Sequence, residues 1–367
     1  MLAYTIRRLF LIVPTLLGIL LLNFILVQFA PGGPIEQLTA QLSGADGGTT
    51  SGIGGSGDAD IGAGDSAGIG GDLGSAGAGQ GIDPELIKQL EAQFGFDKPL
   101  HERFFLMLVN FLSFDFGTSY FRDESVVGLI VEKLPVSISL GIWTTLIVYL
   151  ISIPMGIRKA VRDGSSFDIW TSGIIIFGYA IPSFLFAVLL VVLFSGGNFL
   201  DWFPLRGLVS ENWESLSWPA RIVDYLWHMV LPVTALVVGG FATLTLLTKN
   251  SFLDQIKMQY VITAQAKGLS EQRVLYGHVF RNAMLIVIAG FPAAFVDILF
   301  TSALLIEIIF SLDGVGLLGF EAIIKRDYPV MFGTLYIFTL IGLVMNLVGD
   351  LAYTMVDPRI DFESRDG

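Results

Sequence analysis

The 367-residue chain contains no cysteine. A disulfide framework, a thiolate nucleophile and a thiolate metal site are therefore excluded. Its three histidines, His101, His228 and His278, stand far apart with no ligand spacing, which leaves a zinc centre without support. No Gly-Lys dipeptide occurs anywhere, so the chain lacks a phosphate-binding P-loop. Charge is scarce too: 15% of residues are charged, against about 25% in an ordinary soluble domain. What replaces it is apolar. Hydrophobic residues make up 53% of the chain and the mean hydropathy is +0.70, values that suit a protein facing lipid.

A helix needs about 20 apolar residues to cross a bilayer. Six stretches qualify, at 9–30, 136–157, 170–194, 229–248, 283–306 and 331–355. The first follows Arg7 and Arg8 and resembles a secretory signal, but its apolar run is longer than a signal core of about 7–15 residues. It reads as a retained span. Lys and Arg near span ends stay on the cytoplasmic side. With the N-terminus placed inside, the inner segments carry 12 Lys/Arg in 66 residues and the outer ones 9 in 163. Acids lean the other way, with 23 of 33 outside. The expected fold is an all-α polytopic membrane protein with six transmembrane helices, cytoplasmic termini and a long first periplasmic loop.

That loop, 31–135, holds 16 glycines between positions 43 and 81 and few large apolar side chains. Such a segment buries too little surface to offset its ordering entropy and reads as a flexible tether. Asp83-Pro84-Glu85 then opens a short amphipathic helix. A second helix is expected over 101–114, with Phe104, Phe105, Leu108, Phe111 and Leu112 as its apolar face. On the inner side, Arg158 to Arg162 form a basic turn explained by topology and headgroup contact. The five spans of 136–355 form the core around an inner loop, 249–282, and 356–367 is a cytoplasmic tail.

Asp297 falls within the fifth apolar stretch, where a charge costs about 2.5–3.5 kcal/mol on insertion scales. Its apolar neighbours offset this, so Asp297 is expected to face the bundle interior or a water-filled path. A proton- or ion-coupled carrier would use it most directly. Asp350 lies near the cytoplasmic end and reads as interfacial.

The stretch 259–282, QYVITAQAKGLSEQRVLYGHVFRN, is polar and mildly basic between two apolar blocks. Leu253, Ile256, Tyr260, Ala264 and Lys267 share one helical stripe by spacing. Gly268 stands where helices commonly end in a left-handed residue. Ser270 can cap a restart, with Leu269 and Val274 in staple positions. Thr263, Ala264, Ala266 and Gly268 leave a surface that another protein could approach closely. The pattern fits a helical docking knob, and equally an amphipathic helix on headgroups held by Lys257, Lys267, Arg273 and Arg281. A helix-turn-helix reader of nucleic acid would need far more basic side chains.

This stretch resembles the coupling loop of ABC-importer inner-membrane permeases, in the dipeptide/oligopeptide branch that includes the B subunits of microcin C/oligopeptide importers. The resemblance covers nearly the whole chain outside the glycine-rich insert. It includes Ala30-Pro31-Gly32-Gly33-Pro34, Gly95-Phe96-Asp97-Lys98-Pro99, Asp115-Phe116-Gly117-Thr118-Ser119 and Gly178-Tyr179-Ala180-Ile181-Pro182-Ser183. Ile306-Glu307-Ile308-Ile309-Phe310-Ser311, Arg326-Asp327-Tyr328-Pro329 and Asp357-Pro358-Arg359 continue it. The wider family often opens this loop with Glu-Ala-Ala, whereas Ile262, Thr263 and Ala264 stand here. What the resemblance implies is a non-enzymatic translocation subunit for peptides. It would pair with a second homologous permease, two cytoplasmic ATPase subunits and a periplasmic peptide-binding protein. ATP and magnesium would be held by the ATPase subunits, with no cofactor in this chain. Those subunits would grip Tyr260, Thr263, Ala264, Ala266, Lys267, Gly268, Leu269 and Ser270.

Overall fold

The structure, a computed structural model, describes residues 2–29, 98–122, 124–195, 199–297 and 303–356. The glycine-rich stretch, the helix expected from Asp83 and the tail after 356 lie outside the described residues. The chain divides into two compact units, residues 1–19 with 114–367 and residues 20–113. Helix α1 (Leu2–Phe29) belongs to the larger unit up to residue 19 and to the smaller beyond it.

In the smaller unit, α2 (Leu100–Leu112) follows Pro99, whose extended backbone suits the residue before a helix. Phe24 and Phe104 meet edge to face, with centroids 5.4 Å apart. The covered face of α2 is narrower than expected. Phe104, Leu108 and Phe111 are half-buried or buried, while Phe105 and Leu112 are exposed. Spacings of four and three keep the first three on one stripe; Phe105 and Leu112 lie about 100° away from it.

Among its described residues the larger unit contains helices joined by turns and loops, with an isolated bridge between Thr118 and Ser125 and no strand. Its long helices are α3 (Val126–Val161), α6 (Trp218–Ile256), α9 (Phe280–Asp297) and α12 (Tyr328–Val356). Among the described residues, five helices, α1 included, are long and apolar enough to cross a membrane. The third expected span, 170–194, is broken. It consists of α4 (Ser166–Ala180) and α5 (Ser183–Phe194), bent by 92°. The cause is Pro182, which lacks an N–H and forces Ile181 into extended backbone at φ −88°, ψ 118°. The fifth stretch is also divided: α9 stops at Asp297 and α10 (Ala303–Ile309) follows, with 298–302 outside the described residues.

Helices α3 and α6 run side by side in the same direction and form the backbone of this unit. Trp143 Nε1 donates to Tyr225 Oη near one end, at 2.9 Å. Val148 packs on Gly240, and Gly156 lies against Thr245 and Thr248 near the other. Glycine is needed at 156 because a Cβ there would stand 2.6 Å from Thr248 Cβ and 2.8 Å from the Thr245 carbonyl. Two apolar clusters flank the pair. One gathers Leu140, Leu231, Leu236, Ile306 and Phe310; the other gathers Phe252, Val261, Val274, Val279 and Val287.

Near the start of α3, motif residues that are distant in sequence meet. Ser119 Oγ donates to Asp327 Oδ2 at 2.5 Å, and the Tyr120 N–H donates to Oδ1 at 3.3 Å, with Ser119 and Asp327 both buried. Burial, helped by the Asp327 charge, pushes the Tyr120 phenol well above its usual range. Glu307 is fully buried and takes the Leu317 N–H at 2.7 Å and the Ser137 hydroxyl at 3.1 Å. It thereby caps α11 (Val315–Lys325). Gly314 and Gly316 sit directly against that carboxylate, where a Cβ at Gly314 would collide with it. Burial pushes the Glu307 carboxyl up from its ordinary value.

Candidate functional site

The polar stretch 259–282 is a compact joint between α6 and α9. Helix α6 ends at Ile256, and Met258 takes extended backbone (φ −75°, ψ 150°) before α7 (Gln259–Ala266) begins. The stripe expected from Leu253 to Lys267 is thus split between two helices. Of its later members Ala264 is buried, Tyr260 is half-buried and Lys267 is exposed, while Val261, which stood outside the stripe, is buried beside Ala264. Gly268 closes α7 at φ +82°, a left-handed conformation that glycine adopts without strain. Its N–H donates to the Gln265 carbonyl at 2.9 Å, and the Leu269 N–H reaches the Ala264 carbonyl at 3.3 Å. Ser270 then precedes the single turn α8 (Glu271–Val274), contributing its carbonyl to the Val274 N–H rather than a side-chain cap. A π-helical turn, Leu275–Val279, leads into α9.

The joint is anchored from below. Val261, Ala264, Val274 and Val279 pack with Phe252, Ala283 and Met284, and Leu269 covers their edge. Tyr260 Oη donates to Gln255 Oε1 at 2.9 Å, and Ser251 Oγ donates to the Ala283 carbonyl at 2.7 Å. Of the eight residues expected at a partner surface, Thr263, Ala266, Lys267, Gly268 and Ser270 are exposed. Tyr260 and Leu269 are half-buried, and Ala264 is buried within the joint. Ala264 is therefore a packing residue, since its methyl points to the core that fixes α7. Two exposed apolar side chains that the sequence reading left out flank this surface: Ile262 and Tyr276, each 59% exposed.

The basic stretch that ends α3 is not a headgroup contact at Lys159. Lys159 has no exposed surface, and its ammonium donates to the Asp168 carbonyl (2.9 Å), Thr171 Oγ1 (2.8 Å) and Ser172 Oγ (2.7 Å). It also pairs with Asp168 Oδ1 at 3.0 Å. A charge so deeply buried requires such compensation. The readable signal was Ser165-x-x-Asp168, an N-cap pattern opening α4, in which Ser165 Oγ accepts the Asp168 N–H. Asp350 likewise has a partner, Arg8, at 2.5 Å.

Above the joint, a cavity of about 360 Å³ lies among α3, α6, α9 and the α4–α5 break. Thr145, Tyr149, Ser183, Gly239, Thr243 and Gly290 are among its lining, which includes no charged side chain. Asp297 is the last helical residue of α9, and its side chain lies outside the described residues.

A family model described as "Binding-protein-dependent transport system inner membrane component" matches residues 152–362. The chain belongs to that family. Relatives of similar length extend the match to almost every residue. The peptidoglycan transport system permease protein YejB of Agrobacterium fabrum is 61% identical over 99% of both chains. The inner membrane ABC transporter permease protein YejB of Escherichia coli O157:H7 is 60% identical over 99% of this chain and 100% of the relative. The oligopeptide transport system permease protein AppB of Bacillus subtilis is 31% identical, with 99% and 100% covered. This member of the family is a multi-pass inner-membrane protein and a permease subunit of an ABC importer.

Proposed function

We propose that the chain is one of two homologous permease subunits of an ATP-driven importer for peptides, and that the α7–Gly268–α8 joint receives an ATPase subunit. Two ATPase subunits hold ATP and magnesium on the cytoplasmic side. A periplasmic binding protein delivers peptide to the outer loops, and both termini of this chain are cytoplasmic. Peptide as the substrate class is supported by relatives named for peptidoglycan and oligopeptide transport, whose cargoes share peptide bonds. Hydroxyl- and glycine-lined walls without charge suit passage of varied sequences through the cavity.

The observation that carries the coupling role is the two-sided build of α7. Val261 and Ala264 lock one side into the core, while Ile262, Thr263, Ala266 and Lys267 present the other. A helix exposed in this way and fixed to two spanning helices transmits displacement rather than absorbing it. ATP-driven closure of the ATPase pair would push on this surface and shift the spans between inward- and outward-open states.

The test is Gly268→Glu. No atom lies within 4 Å of a Cβ at this position, so core packing is undisturbed, but the turn is strained and the surface gains a bulky charge. Membrane insertion is expected to persist while uptake and ATPase co-purification are lost. Retained ATPase binding together with uptake would remove the docking role.

A further inference from the structure

The buried charges beneath the joint have no part in the mechanism above, yet they connect its moving pieces. Lys249 lies on α6, ten residues before α7 begins, with only 14% of its side chain exposed. Its ammonium bridges Asp168 Oδ2 at 2.7 Å and Asp163 Oδ1 at 2.9 Å. Asp168 stands in the first turn of α4 and also pairs with Lys159 of α3. The Gly164 N–H donates to the same Oδ2 at 3.2 Å, from a glycine at φ +71°. Three helices are thus held at one carboxylate. Two lysines and two aspartates leave the group neutral, and Asp168 is shielded from water, so salt screens the pairing weakly.

The far end of α4 is the 92° break, and Ser183, the first residue beyond it, lines the cavity. Helix α4 has 15 residues, a rod of about 22 Å at 1.5 Å per residue. A displacement of α6 imposed at the joint therefore reaches the break through Lys249, Asp168 and this rod. Helix α4 also touches α6 directly near the break, where a Cβ at Gly178 would lie 3.6 Å from Val238 Cγ1; the ion pair adds a charged tie at the opposite end of the rod.

We propose that Lys249 and Asp168 form the mechanical link that makes the α4–α5 break follow the ATPase-driven joint, so that Lys249 is a positioning residue for transport. This rests on the coupling role proposed above. In Lys249→Met the aliphatic stem remains, and Asp168 keeps Lys159 and the Gly164 N–H, so no buried carboxylate is orphaned. The ionic link from α6 to α4 is cut while that from α3 to α4 persists.

The experiment uses the complete transporter, this chain with its partner permease, ATPases and binding protein, in proteoliposomes. Import of peptides from a tryptic casein digest is counted by mass spectrometry alongside ATP hydrolysed. With Lys249→Met, hydrolysis is expected to continue and ATP consumed per peptide imported to rise about tenfold, a typical coupling factor. Lys249→Arg, which keeps the charge, should bring that ratio back near the wild-type value. An unchanged ratio in Lys249→Met overturns the link. So does a parallel fall in both activities, or loss of assembled complex, either of which would make Lys249 a structural residue only. Absence of ATP-dependent import by the wild-type transporter would instead remove the reading on which the link rests.

Discussion

Replacing Gly156 by alanine puts the α3–α6 contact to a quantitative test. The added Cβ would meet Thr248 Cβ at 2.6 Å, Thr248 Cγ2 at 2.8 Å and the Thr245 carbonyl oxygen at 2.8 Å. A carbon normally keeps about 3.5–4.0 Å from another carbon, so the helices must part by roughly 1 Å at this level. A rotamer change cannot relieve the clash, because Thr248 Cβ and the Thr245 carbonyl move only with α6 itself. Overpacking of this kind costs about 1–3 kcal/mol, and obstruction by backbone places it at the upper end. Removing a glycine from a helix interior offsets about 1 kcal/mol. The net expectation is a loss of about 2 kcal/mol, the difference of those two figures. Thermal unfolding of the purified protein in detergent, followed by tryptophan fluorescence, measures it. Gly173→Ala is the control: it brings the same helix-propensity gain at an exposed position with open space, and should be neutral or stabilising. If Gly156→Ala proved as stable as Gly173→Ala, the close approach of α3 and α6 would be wrong. Lys159 and Lys249 follow within one turn of this contact, so the parting should also loosen their shared hold on Asp168.

Two further outcomes follow from the buried carboxylates near the start of α3. Ser119→Ala removes the hydroxyl donor to Asp327 Oδ2 and leaves a buried charge short of a partner, at a cost of about 2–3 kcal/mol; the same unfolding assay should show it, and no change would mean that the contact contributes nothing. Glu307 bears on pH. Its folded-state carboxyl is raised by burial, so the native state holds this proton more tightly than the unfolded chain does, and stability falls as pH climbs from the unfolded carboxylate range through the folded value. Glu307→Gln does not titrate, so its unfolding temperature between pH 5 and pH 8 should vary less than that of the wild type; identical profiles would show that Glu307 does not contribute to the pH dependence.

Much of this was legible because lipid imposes a strong pattern. The long apolar runs within α3, α6 and α12 could be placed from length alone, as could the turn at Gly268, which is left-handed as its position in the sequence suggested. The α4–α5 break escaped the hydropathy reading because Ala180, Ile181 and Phe184 are as apolar as the helices around them. Only Pro182 marked it. Lys159 was misread for a related reason. A lysine in a basic turn normally faces headgroups, and nothing local reveals that Thr171 and Ser172, one turn into the next helix, complete its shell. Ala264 shared a stripe with Leu253, Ile256 and Tyr260, and the four do meet in one apolar cluster; its small size also suggested a place on the partner surface, which its burial does not support. Glu307 and Asp327 stood within recognised motifs, but their partners lie 170 and 208 residues away, beyond the reach of any local pattern.

The π-helical turn at Leu275–Val279 sets the phase of everything after it. It closes with the Phe280 N–H donating to the Leu275 carbonyl, so it contains one residue more than an α-turn would. One residue amounts to about 100° of rotation and 1.5 Å of rise. That single surplus residue therefore decides that Val287, Gly290 and Ala294 form the cavity wall, while Ile286 and Ala289 look outward. Were it absorbed into regular helix, α9 would turn a different stripe of side chains toward the cavity without any change at Gly268. The composition of that wall is thus written partly in the spacing between the joint and the span, separately from the identity of the residues that form it.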